Sequence, residues 1–328
     1  MENILDLKDR RLLYELDKDA RQSNTQLAKR TGISKQVAGF RIKRLLKENI
    51  ISKFYTIIDI SKLGFAIHKN FLRLQNLDEK KEHELIHYLV SNPDVVWVAG
   101  CDGRYDLAFG TWAENVESLD HTLKELNKRF GKYISERQIA TILRGEYLLR
   151  NYLLNKPRAV TYHESSFGAV PSLTKIDEID WKILKELGED ARKTAVEISK
   201  KVNISAETTS DRIRKLENSQ VIRGYNIVPN EEKFPYLHYK VLLGMKNTSE
   251  EKERAFISYC RNNAHIVYTV KALGPWEFEI DIEVENAKHL RSIMMDIKTK
   301  FSDILKDYST LSIYQVYKYN FCPSIKYK

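Results

Sequence analysis

Cysteine is scarce in this chain of 328 residues: Cys101, Cys260 and Cys322 stand far apart, odd in number and in no CxxC spacing. That pattern excludes a disulfide framework and indicates no zinc site, so reduced thiols are expected. No run of about 18 apolar residues occurs, which excludes a membrane-crossing helix. The opening MENILDLKDRR lacks the apolar core of a signal peptide, so a cytoplasmic protein is expected. A Gly-rich phosphate loop, a nucleophile elbow and an HExxH helix are all missing. The expectation is therefore no enzyme, no cofactor and no bound metal. What is present is an ordinary folding composition, with 42% hydrophobic and 10% aromatic residues, long enough for two or more domains.

The net charge of +9 fits a polyanionic partner, and its distribution says where. Residues 1 to 160 carry 28 Lys/Arg against 21 Asp/Glu; residues 29 to 53 alone hold eight basic residues against the single acid Glu48. That window therefore equals the surplus of the whole first half.

Sliding the sequence against itself finds one register, offset by 171 positions, from Asp9/Asp180 to Phe130/Phe301. Matches include Ala20-Arg21 with Ala191-Arg192, Ile33-Ser34 with Ile204-Ser205, Arg41-Ile42 with Arg212-Ile213, Gly103 with Gly274 and Asn115 with Asn286. A module of about 150 residues is used twice, and residues 151 to 174, with Pro157, Gly168 and Pro171 and no clear period, read as the linker.

Each module changes character midway. Leu7, Leu12, Leu13 and Leu16 recur at helical spacing, Ser23 with Gln26 has the form of a capping box, and Ser34 can cap a third helix to about Glu48, followed by a strand over 50–58. Three short helices with a turn residue, Gly32, between the last two, then a strand, predict a winged helix-turn-helix. Beyond it, strand patterns at 66–74, 94–100, 105–112 and 133–149 alternate with helical patterns at 79–91 and 115–130, which is the βαββαβ order. The fold class expected is α+β: two tandem copies of a winged helix-turn-helix followed by a ferredoxin-like βαββαβ domain. Expected bounds are 1–60 and 61–150, linker 151–174, then 175–231 and 232–328. A sheet with one face left bare by its helices calls for a partner on that face, and the second copy can supply it within the chain.

These residues carry a resemblance. A helix-turn-helix ending in S-x-x-V/T-x-x-x-R-I-x-R/K-L (34–45 and 205–216), then a strand, then a βαββαβ domain with G-x-Y/W-D/E after its second strand, resembles the Lrp/AsnC regulators over roughly 300 residues. The usual member is one copy that dimerises; here two are fused. The resemblance implies sequence-specific binding of double-stranded DNA by the helix-turn-helices. It also implies effector binding, of an amino acid or other small metabolite, and assembly by the βαββαβ domains, as a homo-oligomer or an intrachain pseudo-dimer.

On a helical wheel the third helix turns Ala38, Ile42, Leu45 and Asn49 inward and Gln36, Phe40, Lys43, Arg44 and Lys47 outward. Any surface helix carries a polar face, yet in this setting the outward set, with Ser34 and Lys35, is the expected DNA contact, Lys and Arg neutralising phosphate and Gln36 suited to adenine. In the second copy the set is Ser205, Glu207, Thr208, Asp211, Arg214 and Lys215. Residues 200 to 224 hold six basic residues and three acids, so the first helix-turn-helix is expected to be the stronger anchor and the two half-sites unequal. Glu207 can accept from a cytosine amino group.

The turns CDGRYD (101–106) and ALGPWE (272–277) lie where the resemblance places amino acids, so Gly103, Tyr105, Asp106, Gly274, Trp276 and Glu277 are the expected effector contacts. A tight hairpin with a core aromatic explains the same residues without a ligand. Two rival readings share the architecture: a sirohaem-decarboxylase-like tetrapyrrole enzyme, to which His68 and His238, one position apart in the repeat frame, would belong, and a sensor that no longer binds DNA, suggested by Glu207 and Asp211.

Overall fold

A computed structural model describes residues 5–154, 165–168 and 173–322. Each half opens with three helices: α1 (Leu7–Lys18), α2 (Asn24–Thr31) and α3 (Lys35–Lys47) in the first. Asp6 and Ser23 close capping boxes at the starts of α1 and α2, and the turn before α3 is made by Gly32 at φ 70°, a left-handed conformation that costs glycine little. Strand β1 (Ile51–Ile58) is the wing. The first βαββαβ domain follows as β2 (Ala66–Leu74), α4 (Glu79–Ser91), β3 (Val95–Asp102), β4 (Leu107–Ala113), α5 (Val116–Phe130) and β5 (Ile134–Tyr147).

The stretch expected to be a plain linker contains structure. Asn151–Leu154 is a buried 3-10 turn and β6 (Ser165–Phe167) pairs with the end of β5; the remainder of the stretch up to 172 lies outside the described residues. Sequence periodicity could not show this, because both pieces are shorter than one period window. The second half repeats the first as α6 (Glu178–Glu189), α7 (Ala195–Val202), α8 (Ala206–Asn218), β7 (Ile222–Pro229), β8 (Leu237–Met245), α9 (Glu250–Asn262), β9 (Ile266–Leu273), β10 (Phe278–Val284), α10 (Ala287–Lys300) and β11 (Leu305–Tyr319). Asn203, at φ 58°, stands in for Gly32.

The two halves are one body. Wings β1 and β7 pair antiparallel, and the strands run β2-β4-β3-β11-β8-β10-β9-β5 with β5 returning to β2, which closes an eight-stranded barrel. The closure rests on two long strands that change partner midway. Residues 134–141 of β5 pair with β2 and 141–147 with β9; likewise 305–313 of β11 pair with β8 and 312–319 with β3. The bare sheet faces expected to need a partner thus cover each other within the chain. Alternation sorts the side chains: Leu72, Val98 and Phe109 pack outward under α4 and α5, while Phe71, Ala99 and Ala108 point into the barrel.

The helix-turn-helices are tied to the opposite halves. The Ala20 amide donates to the Tyr225 carbonyl of β7 and the Ala191 amide to the Phe54 carbonyl of β1. Arg21 donates to the carbonyls of Ala191 and Lys193 (2.5 and 2.9 Å), and Arg192 donates to those of Ala20 and Gln22. The repeated Ala-Arg pair is therefore the clasp of the pseudo-dimer.

Candidate nucleic-acid interface

In α3, the Ser34 hydroxyl accepts from the Val37 amide, and Ala38, Ile42 and Leu45 are the buried stripe. Arg41 reaches across to α1, pairing with Asp6 and with the buried Asp9 at 2.8 and 2.7 Å; Arg212 does the same to Asp177 and Asp180 at 2.7 and 2.8 Å. The first arginine of the repeated R-I motif therefore fixes the recognition helix on the helix behind it.

Two wheel assignments are corrected. Arg44, expected outward, is half-buried and pairs with Asp9 at 2.5 Å, because the acid that Arg41 satisfies on one side is open to it on the other. Asn49, expected inward, is exposed just past the helix end at φ 55°, where the helical angle no longer applies. What α3 presents to solvent is Lys35, Gln36, Val37, Phe40 (68% exposed), Lys43, Leu46 and Lys47. On α8 the exposed set is Glu207, Thr208, Asp211, Arg214, Lys215 and Asn218, with Arg214 paired to Asp211 at 3.1 Å, while Ser205 is spent capping Thr208. One face carries three lysines and no acid, the other two cations and two acids.

The G-x-Y/W-D/E turns pack against the long strands β11 and β5. Gly103 (φ 133°) and Gly274 (φ 155°) run against the other half, where a Cβ would come within 2.7 Å of the Thr310 carbonyl and 2.6 Å of the Ile139 carbonyl. Tyr105 and Trp276 are buried in the barrel against Phe71 rather than offered to a ligand. Asp106 and Glu277 each accept an amide of the neighbouring strand end, Leu74 at 2.7 Å and Met245 at 2.6 Å. Beside the first turn an open hollow is lined by Gln75, Glu82, Asp102 and the flank of Asp106.

A second hollow lies between the wing ribbon and one mouth of the barrel, with about 740 Å³ of empty space including its open end. Lys69 and Lys240, which match in the repeat, both stand over the rings of Trp97 and Tyr268, which also match. Their counter-charges come from β10: Glu279 takes Lys69 at 2.6 Å and Asp281 takes Lys240 at 2.7 Å. His238 sits 2.8 Å from Asp281 and 3.7 Å from Glu231; burial opposes its charge, yet the two acids prevail and raise its pKa to about 9. Burial works against the Asp281 carboxylate too, but Lys240 and His238 hold its pKa below the usual range. Tyr55, Tyr147 and Tyr319 complete the wall, the last two hydrogen-bonded at 3.0 Å. Further along, Arg150 holds Glu283 of β10 at 2.8 Å and Asp17 of α1 at 2.5 Å.

His68, the other histidine singled out in the sequence, bonds Thr141 at 2.9 Å. One position of offset in a strand reverses the face, so His68 and His238 lie on opposite sides of the sheet and form no shared site. The lysine pair went unnoticed in the sequence, although Lys69 and Lys240 agree at the repeat offset.

Paired winged helix-turn-helices held by a closed barrel, with one strongly basic recognition helix, define a DNA-binding protein. The winged helix-turn-helix DNA-binding family matches residues 5–52 and again 176–223. The leucine-responsive regulatory protein of Rhizobium meliloti is 31% identical over 143 residues, covering 43% of this chain and 92% of that protein. The transcriptional regulator AzlB of Bacillus subtilis is 31% identical over 116 residues, covering 35% of this chain and 74% of its own. Among solved structures, the siroheme decarboxylase NirDL superposes with a TM-score of 0.60 over 98% of this chain and 95% of that one, at 15% identity, a likeness of fold. The chain belongs to the Lrp/AsnC family, as a tandem fusion of two modules, and is a DNA-binding transcriptional regulator of that type. No helix among the described residues is long and apolar enough to cross a membrane.

Proposed function

We propose that one chain works in the cytoplasm as a whole regulator dimer, reading an operator with unequal half-sites through α3 and α8. The observation that carries this is the contrast between Lys35, Lys43 and Lys47 on α3 and the balanced charges on α8, on a frame that is otherwise two-fold. Each phosphate neutralised releases counterions, so α3 supplies most of the affinity and α8 mainly register. Gln36 reads a base, and Phe40 is placed to meet a thymine methyl. The test is anisotropy with genomic fragments across a salt series. Lys43→Glu with Lys47→Glu should abolish binding that Arg214→Glu with Lys215→Glu only weakens; equal losses would refute the ranking.

The effector is an amino acid or other small amine taken in the hollow beside the first turn, where Glu82, Asp102 and Asp106 offer carboxylates to an ammonium group. Gly103 and Tyr105 support that wall from behind. A panel of amino acids at millimolar concentration should raise the melting temperature, and Asp102→Asn should reduce the rise. No shift with any of them removes this assignment.

A second reading follows from the hollow at the barrel mouth in a fold shared with a decarboxylase. Its ionisable groups are already paired with one another, Lys69 to Glu279, Lys240 and His238 to Asp281, and Arg150 to Glu283, which supports a structural network over catalysis and a regulator that is not an enzyme. Purified protein should show no tetrapyrrole absorbance, and a haem-like band would reverse that order.

A further inference from the structure

The described residues contain one cluster with the composition of a metal site, and it lies outside both hollows. One ring nitrogen each of His265 and His289 and a carboxylate oxygen of Glu285 lie within 4.8 Å of one another. His265 stands just before β9; Glu285 precedes Asn286, whose side chain caps α10, and His289 follows in the first turn of that helix. His265 Nδ1 is 2.8 Å from the Glu283 carbonyl oxygen. That oxygen can only accept, so the proton resides on Nδ1 and Nε2 keeps its lone pair, which is the second-shell arrangement that orients imidazole ligands. The Tyr152 ring stacks on His265 at 5.2 Å and 12°, fixing its plane. Glu285 is exposed, which leaves a route in from solvent and a free side for water.

We propose that His265, Glu285 and His289 bind a late first-row divalent ion, Zn²⁺ in the first instance, with water completing the shell. Two imidazoles and one carboxylate suit Zn²⁺, Co²⁺, Ni²⁺ or Cu²⁺ far better than Mg²⁺ or Ca²⁺, which prefer all-oxygen shells. Bonds of about 2.0 to 2.2 Å place tetrahedral ligands about 3.3 Å apart; His289 Nδ1 and Glu285 already bond each other at 2.7 Å, so taking up the ion replaces that bond while the three side chains, at a partly open edge, adjust around it. The site belongs to the second half alone: the matching positions in the first are Asp94, Glu114 and Ser118, and Ser118 instead closes a capping box with Asn115.

Its position gives the ion an effect beyond local stability. The Tyr152 hydroxyl bonds Glu283, Glu283 takes the Arg150 guanidinium at 2.8 and 2.9 Å, and Arg150 holds Asp17 on α1 of the first helix-turn-helix. Orienting His265 therefore bears on the contact that seats the stronger DNA anchor. This second step, that the ion alters DNA affinity, rests on the regulator reading; the site itself does not.

The experiment uses the untagged full chain after chelator treatment. Zn²⁺ titration by calorimetry should show one site, and Co²⁺ should give the intense visible band of a four-coordinate N/O shell. His289→Ala and His265→Ala should each weaken binding at least tenfold, with His289→Gln as a variant that keeps the helix end polar if the alanine misfolds. His83→Ala with His87→Ala, on the exposed face of α4, should change nothing. No stoichiometric binding, or binding lost with His83 and His87 and kept without His289, overturns the site. With operator DNA, Zn²⁺ should shift the Kd at least fivefold in the parent and not in His289→Ala; stoichiometric binding with an unchanged Kd overturns the coupling and leaves the site standing. Should the chain bind no DNA at all, the regulator reading fails, and the titration still decides the site.

Discussion

Lys69 and Lys240 hold the same place in the two halves, yet both are neutralised from a single strand. Glu279 and Asp281 of β10 supply the carboxylates, while their counterparts in the first half are Ala108 and Gly110. Removing one partner of a buried pair leaves a charge without compensation. Glu279→Gln should therefore lower unfolding stability by about 3 kcal/mol in urea titrations, and a loss under about 1 kcal/mol would mean that solvent reaches Lys69.

The same network predicts a pH response. The His238 pKa is raised from 6.5 to about 9, so the stability it confers is complete below 6.5 and disappears as pH rises through 9. Asp281 is shifted the other way, and its share is present above its ordinary 3.8 and lost on the acid side. The melting temperature should fall steadily between pH 6.5 and 9 in the parent, and His238→Gln should flatten that slope; a slope identical in the variant would show that another group is responsible.

The recognition helices should also differ in how they tolerate loss of their anchoring arginine. Asp9 keeps Arg44 if Arg41 is removed, whereas Asp180 has no second cation among the described ion pairs because Lys215 replaces Arg44. Arg212→Ala should destabilise its domain by about 3 kcal/mol and Arg41→Ala by about 1 to 2 kcal/mol. Hydrogen exchange in α8 and α3 would report the two separately, and equal protection losses would contradict the assignment.

Glycines of one chain divide into two kinds. Gly32 has open space where a Cβ would go, so Gly32→Ala meets only the strain of its left-handed backbone, about 1 kcal/mol. Gly103→Ala adds a clash with the Thr310 carbonyl, which belongs to the other half, and should cost more and loosen the β3–β11 seam. Thermal unfolding of both variants tests the order.

Much of the architecture was legible because it depends on local rules. Ser23, Gln26 and Ser34 cap as their spacing implies, and the order of strands and helices follows from periodicity. What was hidden depends on partners distant in sequence. A helical wheel assigns Arg44 a direction, but not the buried Asp9 that draws it inward. The turn pattern marks Tyr105 and Trp276, but whether such aromatics face a ligand or a barrel core is decided by the other half closing over them. Nor does a strand pattern disclose that β5 and β11 each begin against a strand of their own half and finish against a strand of the other. The charged interior is easily overlooked because a lysine normally reads as solvent-facing, although the alternation of IHKNF sets Lys69 on the same face as Ile67 and Phe71.

The join between the halves has a consequence for how such a protein can change. In a two-fold homodimer every substitution is made twice, and a residue near the axis must be compatible with its own image. With both halves in one chain, Glu279 can arise opposite Ala108, His289 opposite Ser118 and Asp211 opposite Phe40, each change occurring once. The covalent link thus frees the axis from self-complementarity, and the two ends of the molecule can acquire different tasks without losing the barrel that holds them together.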